Sequence, residues 1–93
     1  AINEHYNLGG SVGPGAIATD IRVMIRLKQI VEGETVYKTL TEAAVYNGTQ
    51  DVPVNFANIE GEPGVDSGDV EVVNADSGEV LAIYPVRFTE MHQ

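Results

Sequence analysis

The sequence predicts an all-β domain: a small antiparallel β-sandwich, Ig-like in the broad sense, with six to seven short strands and a Gly-rich N-terminal arm. Three observations carry that expectation. Val and Ile together number twenty against four Leu, and six Thr add to the β-branched total. Such side chains lose χ1 freedom in a helix and pack well on a pleated surface. Ten Gly and four Pro divide the 93 residues into short pieces. Finally, Ile21, Val23, Ile25 and Leu27 alternate with Arg22, Met24, Arg26 and Lys28, the period-two pattern of a strand with one buried face.

Taken in chain order, residues 1–19 read as the arm. Gly9, Gly10, Gly13, Pro14 and Gly15 fall within seven positions, leaving room for only a short strand near His5–Leu8 or Ser11–Val12. Docking on a neighbouring subunit would explain such an arm. Residues 20–93 are then a single sandwich domain. Asp20–Val31 is its clearest strand, apolar on one face and basic on the other. Glu32-Gly33-Glu34 is a turn, and Thr35–Tyr46, rich in Thr, Val and Tyr, is the returning strand. The stretch Leu40–Val45 would also tolerate a helical turn. Asn47-Gly48 is a turn pair, because both residues accept positive φ at little cost.

Val52, Val54 and Phe56 alternate around Pro53, which removes a ladder donor and places this strand at a sheet edge. Ile59–Asp69 is a loop with three Gly and one Pro. Asp69–Asn74 and Glu79–Phe88 form a hairpin through Ala75-Asp76-Ser77-Gly78, and Pro85 marks the last strand as an edge or a bulge. Val65–Val70 repeats the pattern of Ala75–Val80 ten residues earlier, which reads as one turn chemistry used twice. A partly open barrel is the alternative architecture.

The charge balance narrows the function classes. Five Lys and Arg face fourteen Asp and Glu, for a net charge of −9. A chain so acidic repels nucleic-acid phosphates and anionic membrane surfaces. No apolar run approaches the ~20 residues of a membrane helix, so no membrane insertion is expected. Absent Cys removes disulfides, thiolate chemistry and zinc–sulfur sites. No signal-peptide pattern opens the chain, and Ala1 fits either Met trimming or leader cleavage. Four of the five cations precede residue 39, whereas Thr39–Val86 holds nine carboxylates and no Lys or Arg.

Candidate chemistry is sparse. Gly9-Gly10-Ser11-Val12-Gly13 matches Gly-x-Ser-x-Gly, but Pro14 and Gly15 stand where the nucleophile turn needs a helix. Glu60, Glu62, Asp66 and Asp69, with Asp76 and Glu79 nearby, lack EF-hand spacing and read as solvated loop, with calcium as the alternative. His5 and His92 lie near opposite chain ends without metal-ligand spacing. Asn47-Gly48-Thr49 is a glycosylation sequon that the turn explains without sugar. No catalytic, cofactor or metal residues are therefore expected. The informative row is Arg22, Met24, Arg26 and Lys28. Three cations along one strand face need carboxylates opposite, in a neighbouring strand or a neighbouring chain, and Met24 would be the apolar contact of an interface.

Two family resemblances bear on this reading. Asp-Ser-Gly at 66–68 and 76–78 resembles the catalytic triplet of retroviral-type aspartic proteases. Both copies fall in the last third of the chain, each followed by a carboxylate, and no Ile-Gly segment follows. The order of two long strands, the Val52–Phe56 segment and a final hairpin resembles the pilotin-like lipoprotein sandwiches, without their lipidated Cys. The expectation is a non-enzymatic structural subunit or decoration protein of a repetitive assembly, a virion or a surface filament. It would bind protein neighbours, its own copies or a lattice, through the arm and strand surfaces. A monomeric periplasmic or extracellular binding or assembly-factor sandwich, pilotin-like, is the alternative. A virion or extracytoplasmic setting is expected over a cytosolic one.

Overall fold

The computed structural model describes residues 2–8, 20–47 and 50–88. The described residues are all-β, with six strands in two antiparallel sheets. These are β1 (Ile2–Asn7), β2 (Ile21–Val31), β3 (Glu34–Tyr46), β4 (Asp51–Phe56), β5 (Ser67–Asn74) and β6 (Val80–Arg87). One sheet is the pair β1-β4. The other has four strands in the order β3-β2-β5-β6. Among the described residues the two sheets share no strand, so they do not close into a barrel.

The sheets face each other across a core built by alternation. In β2 the residues Val23, Ile25 and Leu27 point inward; in β5 Val70 and Val72 do so, and in β4 Val52 and Val54. Leu8, just past β1, completes the buried cluster. β-branched residues on both inner faces give the stiff, close-packed interior that such a thin sandwich requires.

Within the 1–19 segment expected as an arm, Ile2–Asn7 form β1, which overlaps the short strand expected near His5–Leu8. Ile2, Glu4 and Tyr6 pair with Phe56, Val54 and Val52 of β4, and the segment closes one layer of the sandwich. The Gly-rich stretch 9–19 lies outside the described residues, as do Gly48, Thr49 and His92.

The hairpin β2–β3 is the longest element. Its two-residue loop, Glu32-Gly33, has φ of 51° and 84°, the positive-φ geometry that matches strand twist. The strand therefore begins at Glu34, and the turn is one residue shorter than expected. No helical turn forms at Leu40–Val45. The β2–β3 register slips there, with Arg26 facing Thr39, Ile25 facing Thr41 and Val23 facing Ala44. These β-bulges absorb the helix-tolerant residues of Leu40–Ala43 while keeping the strand paired.

Edge positions follow the prolines. Pro53 lies in β4, paired on one side only, and Pro85 in β6, the outer strand of the larger sheet. Between them, Glu62-Pro63-Gly64-Val65 is a type II turn. The Val65 N–H donates to the Glu62 carbonyl at 3.1 Å, and Gly64 takes φ 84°.

The two Asp-Ser-Gly triplets adopt different structures, which corrects the expectation of one turn used twice. At 76–78 the triplet is the β5–β6 hairpin loop. Asn74 Oδ1 accepts the N–H of Asp76 at 2.9 Å and of Ser77 at 3.1 Å, and Gly78 takes φ 82°. At 66–68 the triplet runs into β5, with Gly68 in the sheet. A Cβ at Gly68 would stand 2.8 Å from the Lys28 carbonyl oxygen and 2.9 Å from Gln29 Cγ. Glycine is required here by the close approach of the β2 backbone and the side chains beside it, not by a turn.

A candidate interaction face

The outward face of the four-stranded sheet collects the residues that the core does not use. Arg22, Met24, Arg26, Lys28 and Ile30 project from β2, opposite the core row. The register sets Val73, Glu71 and Asp69 of β5 across from Met24, Arg26 and Lys28. On the other side, Val45, Thr39 and Tyr37 of β3 stand across from Arg22, Arg26 and Lys28. From β6, Val80, Ile83 and Pro85 face Val73, Glu71 and Asp69, and Arg87 faces Ser67.

The cations of this row mostly find carboxylates inside the chain. Arg22 Nη1 pairs with Asp76 Oδ1 in the β5–β6 loop, both side chains exposed. Arg26 Nε donates to Glu71 Oε1 at 2.9 Å, and Glu71 is only 4% exposed. The Arg26 guanidinium also lies over the Tyr37 ring, 3.9 Å from its centroid, a stacked cation–π contact. Lys28 is held opposite Asp69 by register alone. Met24 is half-buried beside Val73, which is 1% exposed although it faces away from the core.

The apolar distribution is equally one-sided. Among the described residues, the large hydrophobic side chains that remain exposed are Ile30, Tyr37, Val45, Val80 and Ile83. By the registers above, all five lie on this face. So do four of the five Lys and Arg of the chain, since Lys38 stands across from Leu27 on the core side. The sequence pointed to the β2 row. It did not point to Tyr37, Val45, Glu71, Val80 and Ile83, because their membership depends on strand order. The alternation Thr35, Tyr37, Thr39 opposite a basic row was the one available signal.

A second feature is a groove of about 930 Å³ between β1 and β6, lined by Ile2, Glu4, Ile59, Tyr84 and Phe88 among others. The Tyr84 hydroxyl reaches across it to the His5 carbonyl at 3.4 Å, a long hydrogen bond between the two sheets. The phenol pKa of Tyr84 is raised, first by burial and then by the charges of Glu4 and Tyr6.

Other candidates are not brought together. Asp66 and Asp76 lie at opposite ends of β5, whose 8 residues span ~26 Å. The shared-proton dyad of an aspartic protease needs two carboxyls ~3 Å apart, so one copy of the chain cannot assemble it. Among the described residues, no three Asp, Glu or His side chains converge as a metal-holding group. His5 faces outward from β1, across from Pro53.

No protein-family model, no curated protein and no solved structure matches this chain.

Proposed function

We propose that the chain is a non-enzymatic structural subunit or decoration protein of a repetitive assembly, a virion or a surface filament, placed outside the cytosol. In this reading it is an Ig-like module in the broad sense, and its neighbours dock on strand surfaces and on its N-terminal segment. One observation carries the reading. The exposed large hydrophobics gather with most of the cations on one sheet face, the composition of a protein contact rather than of an ordinary solvated surface. The groove between β1 and β6 favours a second reading, a monomeric pilotin-like module that binds an apolar segment there.

The test is co-sedimentation of the purified chain with its source particle or cell-surface fraction, alongside the double variant Lys28→Glu/Ile83→Asp. Both positions are off the core, so the variant keeps its fold. Binding by the wild type and its loss in the variant are expected. Equal binding by both would move the contact away from this face. No binding by either, with a ligand found in the β1–β6 groove, would favour the second reading.

A further inference from the structure

We infer that the outward face of the four-stranded sheet docks a second copy of the same chain, face to face about a two-fold axis, and closes as a dimer. This names the partner for the surface described above and rests on that reading.

Charge singles out the face. The chain carries a net charge of −9, so two copies repel over most of their surfaces. On this face Arg22, Arg26, Lys28 and Arg87 stand with Asp69, Glu71 and Asp76. It is close to neutral, and it holds both signs. Arg22 and Arg26 are already neutralised inside the chain by Asp76 and Glu71, so the face meets a copy of itself without the net repulsion of the remaining surface, as a two-fold contact requires.

Apolar content and order agree. Arg26 stacks on the Tyr37 ring and donates to Glu71. These contacts within one copy restrict the Arg26 side chain, so less rotamer freedom is lost on docking. Tyr and Arg are the residue types that most often anchor interfaces, with less polar contacts around them excluding water. Ile30, Val45, Val80 and Ile83 occupy that surrounding position.

The footprint is of interface size. Four strands at ~4.8 Å spacing span ~19 Å, and the 11 residues of β2 run ~36 Å. The face outlines at most roughly 700 Å², at the low end for a specific complex, and its accessible part lies at Ile30, Tyr37, Val45, Val80 and Ile83 around the covered Val73 and Glu71.

The test is the mass of the full chain by sedimentation equilibrium at low and high salt, with Ile83→Asp and Ile30→Asp as variants. Both substitutions fall on exposed positions, and circular dichroism checks that the sheet persists. The expected result is a reversible dimer that tightens several-fold at high salt, because salt screens the surplus negative charge of each copy. In both variants it should weaken by tenfold or more.

Growth past two copies that the variants abolish would overturn the two-fold packing and leave the structural-subunit reading standing. A dimer indifferent to both variants would overturn the choice of face. A chain that stays monomeric at both salts would overturn the dimer; co-sedimentation with the source particle would then show whether the subunit reading survives.

Discussion

Glu71 and Arg26 face each other directly across the β2–β5 ladder, and the carboxylate accepts the Arg26 Nε–H at 2.9 Å on a face that points away from the core. Glu71 is 4% exposed, so its charge has lost most of its water and depends on the guanidinium. An ion pair in this setting contributes little net stability over an apolar pair of equal volume. Removing one member leaves a buried charge uncompensated.

Arg26→Ala should therefore destabilise the fold by roughly 3 kcal/mol, while Arg26→Leu/Glu71→Leu should stay within about 1 kcal/mol of the wild type. Urea unfolding of the three proteins checks this. A double variant that loses as much stability as Arg26→Ala would mean that the two side chains do not act as a pair. The same argument makes Arg26 unsuitable for probing the interface, since its loss acts through the fold first.

Gln29 continues the inward row of β2 after Leu27 and is 3% exposed. Its amide donates to the Ser67 carbonyl at 3.2 Å and accepts the Glu62 N–H at 2.8 Å. One side chain thus fastens the 57–66 loop to the sheet. Gln29→Leu should keep the volume but strand a backbone N–H and a carbonyl, at a cost of roughly 2 kcal/mol. Hydrogen exchange at Glu62 should then rise selectively. Unchanged protection at Glu62 would show that the loop is held by other contacts.

The two glycines around Gln29 should differ in their tolerance of alanine. A Cβ at Gly61 meets the end of the Gln29 side chain at 2.7 Å, which can shift by loosening its bonds to Ser67 and Glu62 while the sheet stays paired. A Cβ at Gly68 meets the Lys28 backbone carbonyl at 2.8 Å, which cannot move without breaking the β2–β5 ladder. Gly68→Ala is expected to cost roughly 1–3 kcal/mol and Gly61→Ala less, as read by thermal unfolding. The reverse order would contradict the close approach of β2 and β5.

What the residues disclosed in advance, and what they withheld, follows from the range of each signal. The alternation from Ile21 to Leu27 is local, and it assigned the faces of β2 correctly. The hairpin loop at 75–78 is local as well. Two identical Asp-Ser-Gly triplets took different structures because Gly68 lies against the Lys28 carbonyl, 40 positions earlier. β1 was legible only as a short strand near His5–Leu8, for a similar reason. Glu4 interrupts the inward row of Ile2 and Tyr6, and only pairing with Val54 reveals its register. For the candidate face, the β2 row was legible. Tyr37 was signalled by the alternation Thr35, Tyr37, Thr39 in the returning strand; Glu71 and Ile83 were not, because the order β3-β2-β5-β6 cannot be read from spacing.

Glu32 stands at φ 51° in the β2–β3 loop, where a side chain with a Cβ is strained. Glu32→Asn should stabilise the hairpin by about 0.5 kcal/mol, since Asn accepts positive φ more readily. Gly33→Ala should destabilise it by about 1 kcal/mol. No atom lies within 4 Å of a Cβ at Gly33, so any cost there is purely conformational. A stabilising Gly33→Ala would contradict the positive-φ geometry of the loop.

Tyr84 joins the two sheets through His5, and its phenol keeps its proton to higher pH than an ordinary tyrosine. Burial is the main cause, with Glu4 and then Tyr6 adding negative charge nearby. The native state therefore binds this proton more tightly than the unfolded chain does. Its contribution to stability is fully present below pH ~10, the ordinary phenol value, and is lost as pH rises through the higher native value. In a phenolate absorbance titration of the wild type minus Tyr84→Phe, the difference should titrate above the ordinary range. Glu4→Gln should bring that step down, because it removes one of the raising charges. A difference curve at the ordinary value, unmoved by Glu4→Gln, would mean that the β1–β6 groove is wetter and less acidic than its geometry implies.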